Sequence, residues 1–188
     1  DYGTNFMKVS EVTRYDATNN PVEIKLNNQD QYIANIYDSL NGWLLAKAVN
    51  ATYDDIAYSS FESDDFHTTA ESNGNWIFWS TGTDASGSMT GTKAYYLSGD
   101  EIDSKTLHDG VKYVLSFWTK YTMSAIPVVS LIGGHGYTPG MRTVQNTFNG
   151  WEDYTAVVSP GRGEYLSITG QGASTIPPSP ETYIDELR

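Results

Sequence analysis

The dipeptide Tyr-Asp heads the same short pattern twice. Tyr15-Asp16-Ala17-Thr18-Asn19-Asn20-Pro21-Val22 aligns with Tyr37-Asp38-Ser39-Leu40-Asn41-Gly42-Trp43-Leu44, at an offset of 22 residues. Each copy carries an aromatic, an aspartate, a polar turn and the apolar start of a strand. A fixed period of about this length marks stacked supersecondary units. A unit of that kind cannot bury its apolar face alone, so two copies must lean on something else.

Residues 1–56 read as a β meander. Met7 to Tyr15 forms a first strand. In Val22-Glu23-Ile24-Lys25-Leu26 the residues Val22, Ile24 and Leu26 share one face. Asn27 to Asp30 is a turn cluster, Tyr32 to Tyr37 a further strand, and Asn41-Gly42 a hairpin signal. Trp43 to Ala48 returns, and Asn50 to Asp55 is a linker. The repeated Tyr-Asp turn with strands between resembles the YD (RHS) repeats of large bacterial surface and secreted proteins. The resemblance implies a fragment of a longer repeat sheet, with Asn20 standing where the pattern usually has its turn glycine. Asparagine also tolerates the left-handed conformation, so the turn survives.

From about Ala57 the period vanishes. Short strands follow at sandwich spacing with turn signals between them. They are Ala57 to Glu62, Trp76 to Trp79, Lys93 to Leu97, Val111 to Tyr121, Ile126 to Ile132, Arg142 to Phe148, Trp151 to Val158, Glu164 to Thr169 and Thr182 to Leu187. Ser80 to Thr92 is a Gly/Ser/Thr-rich loop, and Ile102 to His108 is a single turn of helix. The fold class is all-β, a β-sandwich over 57–188 preceded by the short meander. Five marks in order carry a second resemblance: Ser60-Phe61-Glu62, Thr92-Lys93-Ala94, Lys112 to Trp118, Asn149-Gly150-Trp151 and Tyr183 to Leu187. Together they resemble the galactose-binding-like jelly rolls of carbohydrate-binding modules.

Formal net charge is −12, from 23 acidic and 11 basic residues. Such a chain repels a phosphate backbone and anionic lipid surfaces, which argues against nucleic-acid binding. No apolar run approaches the roughly 18 residues of a membrane span, which argues against membrane insertion. The same carboxylates serve solubility, or supply oxygens for a calcium ion. There is no cysteine, so disulfides, thiolate metal sites and cysteine nucleophiles are excluded.

The second resemblance implies a structural Ca2+ tying the opening strand to the closing one. Its positions here are Glu62, the carbonyl near Lys93, and Asp185, with Asp64 close in sequence. The other reading of Glu62 and Asp185 is ordinary strand-end charge. Sugar modules bind by stacking a pyranose on an exposed aromatic while a few polar groups read the hydroxyls. Trp118 and Lys120 alternate away from the core face of their strand. Trp79 and Tyr95 are further candidates, with Trp76, Phe78 and Tyr96 beside them. Tyr137 and His135 lie in the glycine-rich stretch Gly133 to Gly140, a rim loop lacking the lysine and helix of a phosphate cradle. Trp151 reads as core.

His67, His108 and His135 have no metal-ligand spacing and no Gly-x-Ser-x-Gly elbow occurs, so the chain does not read as an enzyme. Two functions remain open. One is a non-catalytic carbohydrate-binding or adhesive module within a larger bacterial YD-repeat protein, exported to the cell surface or medium. Its partners would be a polysaccharide, the rest of the parent polypeptide and the secretion machinery. The other is a structural insertion, spacer or export-related domain with no glycan ligand.

Overall fold

The computed structural model describes residues 9–26, 30–38, 41–62, 74–78, 82–84, 87–97, 100–122, 126–133, 143–170 and 181–188. The chain divides into two compact units, Asp1–Ile56 and Ala57–Arg188. Among the described residues, no helix is long and apolar enough to cross a membrane.

The first unit is an antiparallel meander of β1 (Ser10–Tyr15), β2 (Pro21–Leu26), β3 (Gln31–Tyr37) and β4 (Leu44–Val49), hydrogen-bonded in that order. The partners Val12, Ile24, Ile33 and Val49 make one apolar row across all four strands. The 22-residue offset is thus the length of a hairpin plus a return, so both Tyr-Asp turns lie at one end of the sheet. Asn20 Oδ1 comes within 3.9 Å of where a Cβ on Gly42 would stand.

Asp16 organises the first turn. Its Oδ1 accepts the N–H of Thr18 (2.9 Å) and of Asn20 (2.8 Å), while its Oδ2 accepts Asn20 Nδ2 (2.9 Å). Burial works to raise its pKa, but these hydrogen bonds to the ionised form outweigh it and hold the carboxyl below its usual value. In the second turn Asp38 Oδ1 accepts the N–H of Asn41 at 3.0 Å. The left-handed residue of the first turn is Asn19 (φ 65°), not Asn20; in the second it is Gly42 (φ 67°). The first turn is one residue tighter: Asp16 N–H bonds the Asn20 carbonyl, whereas Asp38 N–H bonds that of Trp43. The expected linker contains a 3-10 turn, Tyr53–Asp55, closed by a reciprocal Thr52/Asp55 cap. Tyr53 is buried, its N–H bonds Glu23 Oε2 (2.9 Å), and Arg14 lies over its ring.

The second unit is a sandwich of two antiparallel sheets. One has the order β10 (Val128–Ile132), β13 (Tyr165–Thr169), β8 (Glu101–Thr106), β5 (Trp76–Ile77). The other has the order β11 (Thr143–Phe148), β12 (Trp151–Val158), β9 (Tyr113–Tyr121), β14 (Thr182–Asp185), β7 (Ala94–Tyr96), β6 (Thr83–Asp84). Alternation puts Leu115, Phe117 and Thr119 of β9 inward, against Ile102, Leu131, Leu166 and Ile168 of the opposite sheet. Phe117 stacks on Tyr154 with centroids 4.5 Å apart. Asn149 and Gly150 both adopt positive φ, the geometry of a tight hairpin turn between β11 and β12.

Three expectations need correction. Glu101–Thr106 is a strand and not a helical turn. Its inward positions are Ile102 and Ser104, and the polar serine conceals the alternation. Ser104 is buried because its Oγ accepts the Leu166 N–H (2.9 Å) and donates to the Lys105 carbonyl (2.7 Å). Within Ala57 to Glu62 the only described pairing is the bridge from Ser59 to Leu187. The Ser80 to Thr92 stretch contributes the two-residue strand β6.

Candidate functional site

The outer face of the six-stranded sheet carries the candidate site. Along β9 the residues Val114, Ser116, Trp118 and Lys120 point away from the core, because Leu115, Phe117 and Thr119 between them are buried. Strand pairing sets their neighbours. Trp118 lies between Asp153 of β12 and Asp185 of β14. Lys120 is paired with Tyr183, and Tyr183 in turn with Tyr96 of β7. The Tyr96 and Tyr183 rings meet at 5.1 Å between centroids, tilted by 32°.

A pocket of about 170 Å3 opens beside this row. Lys120, Tyr183 and Trp151 line it, with Gly87, Tyr121, Thr122 and Glu181 completing the wall. Its polar groups are held in place. Tyr121 OH donates to Glu152 Oε2 at 3.1 Å. Thr122 N–H bonds the Glu181 carbonyl and Glu181 N–H bonds Thr122 Oγ1, both at 2.9 Å. Among the described residues, no side-chain hydrogen bond or ion pair involves the Lys120 ammonium. Aromatic faces flanked by fixed donors and acceptors are what a carbohydrate requires of a protein surface.

Trp118 and Lys120 therefore stand on the outer face, as alternation predicts. Tyr95 does not. Its exposure is 0%, and its ring packs on Phe61 (5.4 Å) and Phe78 (5.3 Å) in the core. Of two adjacent tyrosines one must face inward, and it is Tyr95 that pairs with the buried Ile184. Trp76 is core as well. Trp151 is buried, and it also lines the pocket. Trp79, His135, Tyr137 and Asp64 lie outside the described residues. Tyr183 was not anticipated, although Ile184 inward already turns Tyr183 outward.

The carboxylates expected to bind metal converge on one loop. Glu62 Oε1 accepts the N–H groups of Thr92 and Lys93, both at 2.8 Å, and its Oε2 accepts Thr92 Oγ1 at 2.8 Å. Asp185 Oδ2 accepts the N–H of Met89 (2.7 Å) and Thr90 (2.9 Å), and its Oδ1 accepts that of Glu186 (2.8 Å). Thr90 Oγ1 donates to Glu186 Oε1 at 2.6 Å. Burial, with a smaller contribution from the Glu186 charge, pushes Asp185 up to about 6 against the opposing pull of its N–H donors. Tyr58 OH donates to Glu186 Oε2 at 3.0 Å; burial first and that charge second push the phenol to about 12. Among the described residues, no group of three or more His, Cys, Asp or Glu side chains is gathered into a metal cage.

No protein-family model matches the chain, and no curated protein matches it. Among solved structures the chain is similar to the CBM22-1 xylan-binding domain of Paenibacillus barcinonensis Xyn10C. The two are 14% identical, with a TM-score of 0.45, over 69% of this chain and 89% of that one.

Proposed function

We propose that residues 57–188 form a non-catalytic carbohydrate-binding module, with its site on the outer face of the six-stranded sheet. The observation that carries the reading is the row Lys120, Tyr183, Tyr96 beside Trp118, bordering a pocket with fixed polar walls. A sugar ring stacks on the tyrosine or tryptophan face, while Lys120, Glu181 and the Tyr121 hydroxyl address its hydroxyls. The net charge of −12 favours a neutral polysaccharide over a polyanion. The wider setting we infer is a larger bacterial YD-repeat protein at the cell surface or in the medium. Residues 1–56 would be the end of its repeat sheet.

Affinity electrophoresis through gels cast with xylan, mixed-linkage β-glucan, galactomannan or starch tests this. At least one polysaccharide should retard the chain, and Tyr183→Ala and Trp118→Ala should abolish the retardation without lowering the melting temperature. Unretarded migration in all four would overturn the sugar reading. It would favour the structural one, in which the buried Trp76, Tyr95 and Trp151 exhaust the role of the aromatics.

We further propose a calcium ion at Glu62 and Asp185, with the Lys93 carbonyl and Asp64 contributing. The support is chemical. Asp185 is a buried carboxylate, fully enclosed, with no cation beside it among the described residues. Asp185 Oδ1 and Glu62 Oε2 each accept one described hydrogen bond, which leaves a lone pair for a hard cation. When bound, the ion supplies charge neutralisation and a tie between the two ends of the sandwich.

A further inference from the structure

The loop Gly87–Lys93 touches both the pocket and the acidic knot. Gly87 lines the pocket. From Met89 to Lys93, every residue except Gly91 donates a hydrogen bond to Asp185, Glu186 or Glu62. At Gly91 the approach is closer still. A Cβ there would collide with the Glu62 carboxylate, and the backbone is left-handed at φ +60°. The loop thus lies flat on its carboxylates because residue 91 has no side chain. Ser88 Oγ closes the loop on itself by donating to the Gly91 carbonyl at 3.1 Å. Only Ser88 separates the pocket wall from the first anchored N–H, a span of at most about 7 Å of chain. The strand beneath repeats the link, since Tyr183 and Asp185 are alternate residues of β14 on its outer side.

We propose that Glu62 and Gly91 are positioning residues for the pocket, setting its wall at Gly87 through this loop. The inference rests on the carbohydrate-site reading for its biological meaning, but not for its geometry. Neither residue lines the pocket. Glu62→Ala removes the acceptor of the Thr92 and Lys93 N–H groups and of the Thr92 hydroxyl, and so frees Thr92 and Lys93. Gly91→Ala displaces the carboxylate sterically. Thr92→Val, a milder change, removes only the hydroxyl bond to Glu62 Oε2.

The test uses the whole chain and two readouts. In the free protein, backbone amide resonances of Gly87 and Tyr183 should shift in Glu62→Ala and Gly91→Ala, and by less in Thr92→Val. With xylohexaose, or the oligosaccharide of whichever gel polysaccharide retards the chain, affinity should fall about tenfold in the first two variants. It should fall less in Thr92→Val, which also guards against simple unfolding of the other two. Unmoved Gly87 and Tyr183 resonances in Thr92→Val and in folded Glu62→Ala would overturn the proposal. So would shifted resonances with unchanged affinity. Shifted resonances with no oligosaccharide bound by the wild type would uphold the positioning role and sink the carbohydrate reading instead.

Discussion

Asp185 makes the stability of the second unit depend on pH in a direction opposite to that of most paired carboxylates. Its folded pKa is raised from 3.8 to about 6, by burial first and the Glu186 charge last. The native state therefore holds the proton more tightly than the unfolded chain does. Below the unfolded pKa both states are protonated, and this contribution is fully present. It is lost as pH rises through the folded pKa near 6, and it is constant above that. Each unit of pKa difference is worth about 1.4 kcal/mol, so the span amounts to about 3 kcal/mol. Other carboxylates titrate in the same range, so the comparison must be with Asp185→Asn. Urea unfolding between about pH 4 and pH 7, followed by tryptophan fluorescence, isolates the effect when the variant curve is subtracted. All tryptophans but Trp43 belong to the second unit, so the signal reports mainly on it. Wild type should lose about 2.4 kcal/mol relative to Asp185→Asn over this interval, which starts just above the unfolded pKa. Saturating calcium should flatten the difference, because a cation neutralises the buried charge. Parallel pH profiles for the two proteins in chelator would refute the reasoning.

Three further outcomes are expected. Phe117→Ala should cost about 3–5 kcal/mol, because the ring is buried and stacked on Tyr154; chemical denaturation measures it. Asn19→Ala should lower the stability of the first unit by about 1–2 kcal/mol through its left-handed φ, and Asn19→Gly should not; hydrogen exchange of the β1 and β2 amides reads this out. The melting temperature should rise with calcium and fall on chelation, magnesium should substitute poorly, and Asp185→Ala should abolish the response while Asp100→Ala keeps it.

The all-β class was legible because the longest strands alternate cleanly. Val22, Ile24 and Leu26 mark β2, and Leu115 and Phe117 mark β9. β8 was not legible, since Ser104 occupies an inward position by satisfying its hydroxyl rather than by being apolar. Half of the site followed from the same alternation, which turns Trp118 and Lys120 outward. The other half depends on strand order. Trp151 and Tyr183 come from β12 and β14, which flank β9 out of sequence, and Tyr96 from β7 on the far side of β14. Nothing local tells a sequence which distant strand will be its neighbour. Nor does local pattern separate Tyr95 from Tyr96, adjacent rings that go to opposite faces.

The placement of β14 between β9 and β7 also governs how the domain is made. The six-stranded sheet stays split until Thr182–Asp185 arrives, because among the described residues no other element joins its two halves. Closing it requires contacts between segments far apart in the chain, which folds slowly and leaves strand edges open meanwhile. A ribosome or an export channel that delivers residues in order therefore releases this domain unfinished until its last strand emerges. The edges of β9 and β7 are then the surfaces a chaperone must shield, and truncation before Thr182 should yield aggregation rather than a smaller folded domain.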